Sequence, residues 1–126
     1  MQPVNLFQLA SQQAQWLSVR HTAVSSNIAN ANTPGYGTME VEPFEAVLDN
    51  TRVAMEATNP RHISVGVGSD ALMIRQDSES EPTSPSGNTV VLENELMKSG
   101  EVRRSFELNT AVVKAFHRML MLTTRA

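Results

Sequence analysis

Phe7, Ala10, Ala14, Leu17, His21, Val24, Ile28 and Ala31 recur at alternating steps of three and four. All but His21 are apolar, and the rhythm lasts over three heptads. A seam of this period commits the segment to a long helix with a helical partner. Asn5 can accept from the first free amides of that helix, with Gln8 three residues on in the manner of a capping box. The helix must finish by about Asn32, because Thr33 precedes Pro34 and is pushed out of the α region. Residues 1–32 then make one helical element, on the order of 40 Å long. Leu9, Trp16 and Ala23 form a second row, roughly 110° around the helix from the first. One helical partner cannot cover both rows, so the helix belongs either in a small bundle or among helices of other chains.

A second helix is expected over 89–126, with Asn88 or Thr89 as its cap. Val102, Phe106, Asn109, Val113, Phe116 and Leu120 repeat the three-four rhythm, and Leu108, Val112, Ala115, Met119 and Leu122 run beside them. Arg103, Glu107, Lys114 and Arg118 occupy the remaining face. The apolar sector is roughly 200° wide. Pairing with the first helix buries about half of it, and the chain supplies no third long helix. Other subunits are the natural source of the missing cover. Gly100 costs ~1 kcal/mol relative to Ala inside a helix. It marks a kink or joint between two helical segments, or a place where another helix comes close.

Residues 33–88 differ in kind. TMEVEPFEAVLDN offers a short extended piece and a helical turn around Phe44, Val47 and Leu48. His62 to Val67 alternates apolar with small or polar residues, Gly68-Ser69-Asp70 suits a turn, and Ala71 to Ile74 returns as a second strand. RQDSESEPTSPSGN, residues 75–88, is polar and rich in Ser and Pro, and reads as a flexible connection. The fold class is therefore mainly α: two long terminal helices in an antiparallel, coiled-coil-like pair, around a short extended or β-hairpin centre.

Chemistry is sparse. The chain has 126 residues, suited to one modest domain, and a net charge of −3, the wrong sign for a nucleic-acid partner. Without cysteine it has no disulfide, zinc-thiolate site or thiol nucleophile. His21, His62 and His117 fall in three segments, none with a second ligand at metal spacing on its own face. His21, on the apolar stripe, reads as an interface histidine. Neither a phosphate-binding glycine loop nor a G-x-S-x-G elbow is present. No catalytic residue, cofactor-binding residue or metal ligand is expected, and hence no cofactor. No apolar run reaches the ~18 residues that cross a bilayer, so no membrane span is expected. The N-terminus lacks the basic, apolar and small-residue regions of a cleaved secretory signal.

SSNIANANTPGY, residues 25–36, resembles the signature of the axial proteins of the bacterial flagellum: a long amphipathic helix, then Asn-[Ile/Leu]-Ala-Asn, then Thr-Pro-Gly-Tyr. Asn27, Ile28, Ala29, Asn30, Asn32, Thr33, Pro34, Gly35 and Tyr36 carry the match. TNPRHI (58–63) and SGNTVVLENELMKSGE (86–101) resemble the proximal-rod family within that group, through Gly87, Asn88, Thr89, Val90, Glu93, Glu95, Leu96 and Met97. Val91 stands where that family often has Asp.

This resemblance implies a structural subunit of the proximal rod of the flagellar basal body, in the periplasmic space. Such subunits leave the cell through the flagellar type III apparatus without a cleaved signal. Their terminal helices are loosely ordered as monomers and pack into an inner tube on assembly, and the rod transmits torque. Implied partners are other rod subunits, self-copies in a helical array, and the basal-body ring and export-gate or adaptor proteins. The assembly interface is expected at Phe7, Ala10, Ala14, Trp16, Leu17, Val24, Ile28, Val102, Phe106, Val113, Phe116 and Leu120. Rival readings are the other small proximal-rod subunit and a helical export chaperone or adaptor. Pro34 and Gly35 suit the second and third positions of a type II turn that leads the chain out of the helix. Asn27, Asn30 and Asn32 can bond carbonyls freed at the helix end or backbone of a neighbouring subunit.

Overall fold

The computed structural model describes residues 5–51, 74–77 and 84–125. Five elements follow in order: α1 (Leu6–Ala29), β1 (Met39–Val41), α2 (Phe44–Thr51), β2 (Ile74–Gln76) and α3 (Leu92–Thr124). The mainly helical architecture, with a small antiparallel sheet between two long helices, is the one the periodicity predicts.

α1 starts as expected, the Asn5 side chain accepting from the Gln8 amide at 3.3 Å. It ends at Ala29, short of the Asn32 limit, because Asn30 leaves the helical conformation at φ −103° and ψ 15°. The Asn30 side chain donates to the Ser26 carbonyl at 2.8 Å, a second bond on a carbonyl that also accepts from the Asn30 amide at 3.1 Å.

α3 runs for 33 residues, about 50 Å at 1.5 Å each. Neither Asn88 nor Thr89 caps it. The cap position is Val91, which has no side-chain oxygen to offer, while Glu93 and Glu95 lie in the first turn, where the helix dipole favours acids. The helix passes through Gly100 without a break, and a Cβ there would meet nothing within 4 Å. Gly100 is thus no joint, and no other described element of the chain approaches it.

The two long helices are antiparallel. Asn109 of α3 donates to the Ala10 carbonyl at 3.0 Å, Phe116 meets Phe7 edge-on with ring centroids 5.3 Å apart, and Arg20 faces Glu101 at 3.6 Å. The core holds Trp16, Leu17, Ala23, Val41, Val47 and Val102, flanked by Val19, Met39, Phe44 and Phe106. The second row of α1 is covered by this chain itself, not by another helix bundle: Trp16 lies 5.8 Å from the Phe44 ring, and its indole N–H donates to the Glu42 carbonyl at 2.7 Å.

β1 pairs with β2 antiparallel, Met39 opposite Gln76 and Val41 opposite Ile74. The expected hairpin of residues 62–67 with 71–74 lies outside the described residues, save Ile74, which belongs to the strand on β1. Arg75 and Gln76 are strand and Asn88 is buried, which corrects the expected flexible connection at both ends of 75–88, and residues 78–83 of it lie outside the described residues.

α3 keeps little of its apolar surface covered. Glu95 and Val102 are buried, but Leu108 is 66 % exposed, Met119 56 % and Leu122 65 %. In the isolated chain, Leu17→Ala should therefore cost about 2–5 kcal/mol and Leu108→Ala less than about 0.5 kcal/mol. Gly100→Ala should add about 0.5–1 kcal/mol. Urea unfolding followed by circular dichroism separates the three.

Candidate functional site

The residues of the turn motif form one half of a clasp that joins the end of α1 to the approach to α3. Gly35 has φ +70°, and the Tyr36 amide donates to the Thr33 carbonyl at 3.3 Å, as a turn with Pro34 second and Gly35 third requires. Residues 84–87 form a second turn, with Gly87 at φ +80° and its amide donating to the Ser84 carbonyl at 3.0 Å. The two turns lie against each other. The Gly35 amide donates to the Ser86 carbonyl at 2.9 Å, and the Thr89 amide to the Tyr36 carbonyl at 3.1 Å. The Thr89 hydroxyl accepts from the Thr38 amide and lies 2.8 Å from the Thr38 hydroxyl.

Asn88 fastens the arrangement from inside. It is 2 % exposed, and its amide nitrogen lies 2.8–2.9 Å from the carbonyls of Asn30, Ala31 and Thr33, while its oxygen accepts from the Val90 amide at 2.7 Å. These carbonyls belong to the turn that follows α1, where those of Asn30 and Thr33 also accept from the Thr33 and Tyr36 amides. The asparagine expected to start α3 instead finishes α1.

Asn27 does the same for β1. Its oxygen accepts from the Met39 amide at 2.9 Å, and its nitrogen donates to the Met39 carbonyl at 2.8 Å, so the side chain bonds Met39 as a neighbouring strand would. The same nitrogen donates to Glu95 at 3.0 Å, and the Tyr36 hydroxyl reaches the Asn27 oxygen at 3.3 Å and Ser26 at 3.2 Å. Asn27 is fully buried and every hydrogen-bonding atom of its amide is used. Asn30 accepts from the Thr33 hydroxyl at 3.1 Å, whereas Asn32, Pro34 and Gly35 are exposed on the turn. Ile28 is half-buried and Ala29 is exposed.

Glu95 is 2 % exposed and bridges Asn27 to Lys98, whose ammonium lies 3.1 Å away and also pairs with Glu40. Burial is the largest single influence on Lys98 and lowers its pKa. Hydrogen bonds and charge from Glu40 and Glu95 together outweigh it and hold the ammonium above its ordinary value of 10.5. Sequence reasoning missed this cluster. The available signal was spacing, since Glu95 stands seven residues before Val102 on the same seam.

The residues expected at the assembly interface divide into two groups. Ala10, Trp16, Leu17, Val24 and Val102 are buried within the chain. Ala14, Ile28, Phe106, Val113 and Phe116 are half-buried, and Phe7 and Leu120 are about two-fifths exposed. His21 does not sit inside the seam: it is exposed, as is His117, while His62 lies outside the described residues. Among the described residues no helix is long and apolar enough to cross a membrane.

Two predictions follow from the clasp's bonds. Asn88→Ala should lower the unfolding free energy by at least about 1–3 kcal/mol, the cost of buried polar groups left unpaired, whereas Asn32→Ala should change it by less than about 0.5 kcal/mol. Lys98 has a folded pKa above its unfolded one, so its contribution is complete below about 10.5 and is lost as pH rises through the raised value. Alkaline denaturation above that pH should be less steep in Lys98→Met than in the native chain.

Comparison with known proteins agrees with this anatomy. The family described as flagella basal body rod protein matches residues 10–36, from near the start of the α1 seam through the Thr-Pro-Gly-Tyr turn. The chain is 45 % identical to the flagellar basal body rod protein FlgB of Agrobacterium fabrum (strain C58), over 99 % of its own length and 96 % of that protein's. With identity at that level from end to end, the chain belongs to the FlgB family of flagellar basal body rod proteins.

Proposed function

We propose that this chain is a structural, non-enzymatic subunit of the proximal rod, built into the flagellar basal body in the periplasmic space after export by the flagellar type III apparatus. Its residues 1–32, 33–88 and 89–126 work as one assembly domain, two helices joined by a clasped middle. The observation that carries this reading is the division of apolar surface. The inner row of α3 packs on α1, while Leu108, Val112, Met119 and Leu122 remain exposed along the same helix. α3 also continues about two turns past Phe116, the residue that meets Phe7 near the start of α1.

Neighbouring rod subunits and further copies of this chain are the partners that cover this face. Ring and export-gate proteins are the neighbours at the rod's base. The partly exposed Phe7, Phe106, Val113, Phe116 and Leu120 extend the contact at the edges of the seam. A contact of this kind uses different surfaces on the two partners and continues as an open helical array. Torque is then carried by many helix–helix contacts in parallel.

Met119→Asp should abolish motility while leaving synthesis and monomer stability within about 0.5 kcal/mol of the native chain, because the side chain is more than half exposed in the monomer. Swimming assays and basal-body purification test this. Motile cells whose basal bodies carry the variant would contradict the assignment of this face.

A further inference from the structure

The α1–α3 seam has one feature that its apolar period does not explain. Val102 sits in the core at 2 % exposure, and one heptad away on either side the same row carries a polar residue, Glu95 before it and Asn109 after it. Each has a partner fixed by the observed register. Glu95 meets Asn27 at 3.0 Å and Lys98 at 3.1 Å, and Asn109 donates to the Ala10 carbonyl at 3.0 Å.

A heptad seam is nearly self-similar, so sliding one helix by seven residues again sets apolar side chains against apolar ones. Here neither slide is open. Moving α3 one way carries Glu95 into the place of Val102, among the apolar Leu17, Val41 and Val47, and takes its buried carboxylate off the Asn27 amide. Moving it the other way carries Asn109 into the same place and removes it from the Ala10 carbonyl. A buried polar group on an apolar seam is a known means of fixing alignment, at a cost in stability.

We propose that Glu95 and Asn109 act as a pair of stops that fix the register of α1 against α3, one for each direction of slip. The Asn27 of the turn motif is then the socket for the first stop, which ties the motif at the end of α1 to the acidic start of α3. Register decides which residues of the outer row stand at which height, so the stops also set the pattern of exposed side chains along α3.

The chain has no cysteine, so Ser25→Cys and Ala115→Cys, both at exposed positions, give two unique spin-label sites on α1 and α3. Their separation is read by pulsed electron resonance on the dilute full-length chain. A one-heptad slip changes it by about 10 Å. Glu95→Leu should add a population with the longer separation, and Asn109→Leu one with the shorter, each at least about one-tenth of the total, a difference of about tenfold or less between registers. Both populations should grow when Asn88→Ala is added, because the clasp also resists sliding. A single, unmoved distance in both variants, with and without Asn88→Ala, overturns the proposal. So do displaced populations with Asn88→Ala alone, which would assign register to the clasp. Loss of helical circular dichroism in Glu95→Leu or Asn109→Leu likewise overturns it, making these residues supports of stability and not of alignment.

Discussion

A side-chain amide that imitates a strand holds this fold together. Asn27 gives and takes a hydrogen bond with the backbone of Met39 and reaches Glu95 with its remaining hydrogen. Three elements, the end of α1, β1 and the start of α3, meet at one buried residue. Unpaired amide atoms at such a depth are costly, so the geometry around Asn27 is closely specified. Asn88 acts from the other side of the junction, bonding carbonyls of the turn that follows α1. The polar clasp and the apolar seam divide the work. Hydrogen bonds fix how the chain turns from helix to strand, and apolar burial supplies adhesion between the helices.

That division accounts for the surface the chain presents. The α1 seam and its second row are both used internally, the first on α3 and the second on Phe44, Val41 and Val47. Among the described residues α3 has no equivalent second cover, and its outer row stays exposed from Leu108 to Leu122. The proposed role in the rod calls for a body that keeps its shape and a face that neighbours complete. The two helices supply these separately, α1 as the enclosed member and α3 as the displayed one.

Much of this was legible in the residues. The three-four rhythm placed both helices, the cap at Asn5 and the Pro-Gly turn marked the limits of α1, and the excess girth of α3 pointed to missing partners. What stayed hidden depends on long-range geometry. Asn88 precedes α3 by a few residues and looks like its cap, yet its partners lie at residues 30–33, a pairing that no local rule contains. His21 sits on the stripe by spacing but is exposed, because at ~100° per residue it lies about 40° around from Leu17, on the side away from the buried Trp16. The cover over Trp16 comes from a short strand and a two-turn helix, elements that carry little periodic signal. Glu95 was readable, by stepping back one heptad from Val102, but an acid near a helix start is ordinarily a solvated one.

The central claim is that the chain encloses one apolar face by itself and leaves the other for its neighbours. Hydroxyl-radical footprinting of the purified monomer and of isolated basal bodies measures this directly through Trp16, which is 8 % exposed, and Met119, which is 56 % exposed. The account predicts Trp16 protected in both and Met119 oxidised in the monomer but protected in the basal body. Equal oxidation of Met119 in the two, or protection of Trp16 only after assembly, would contradict it.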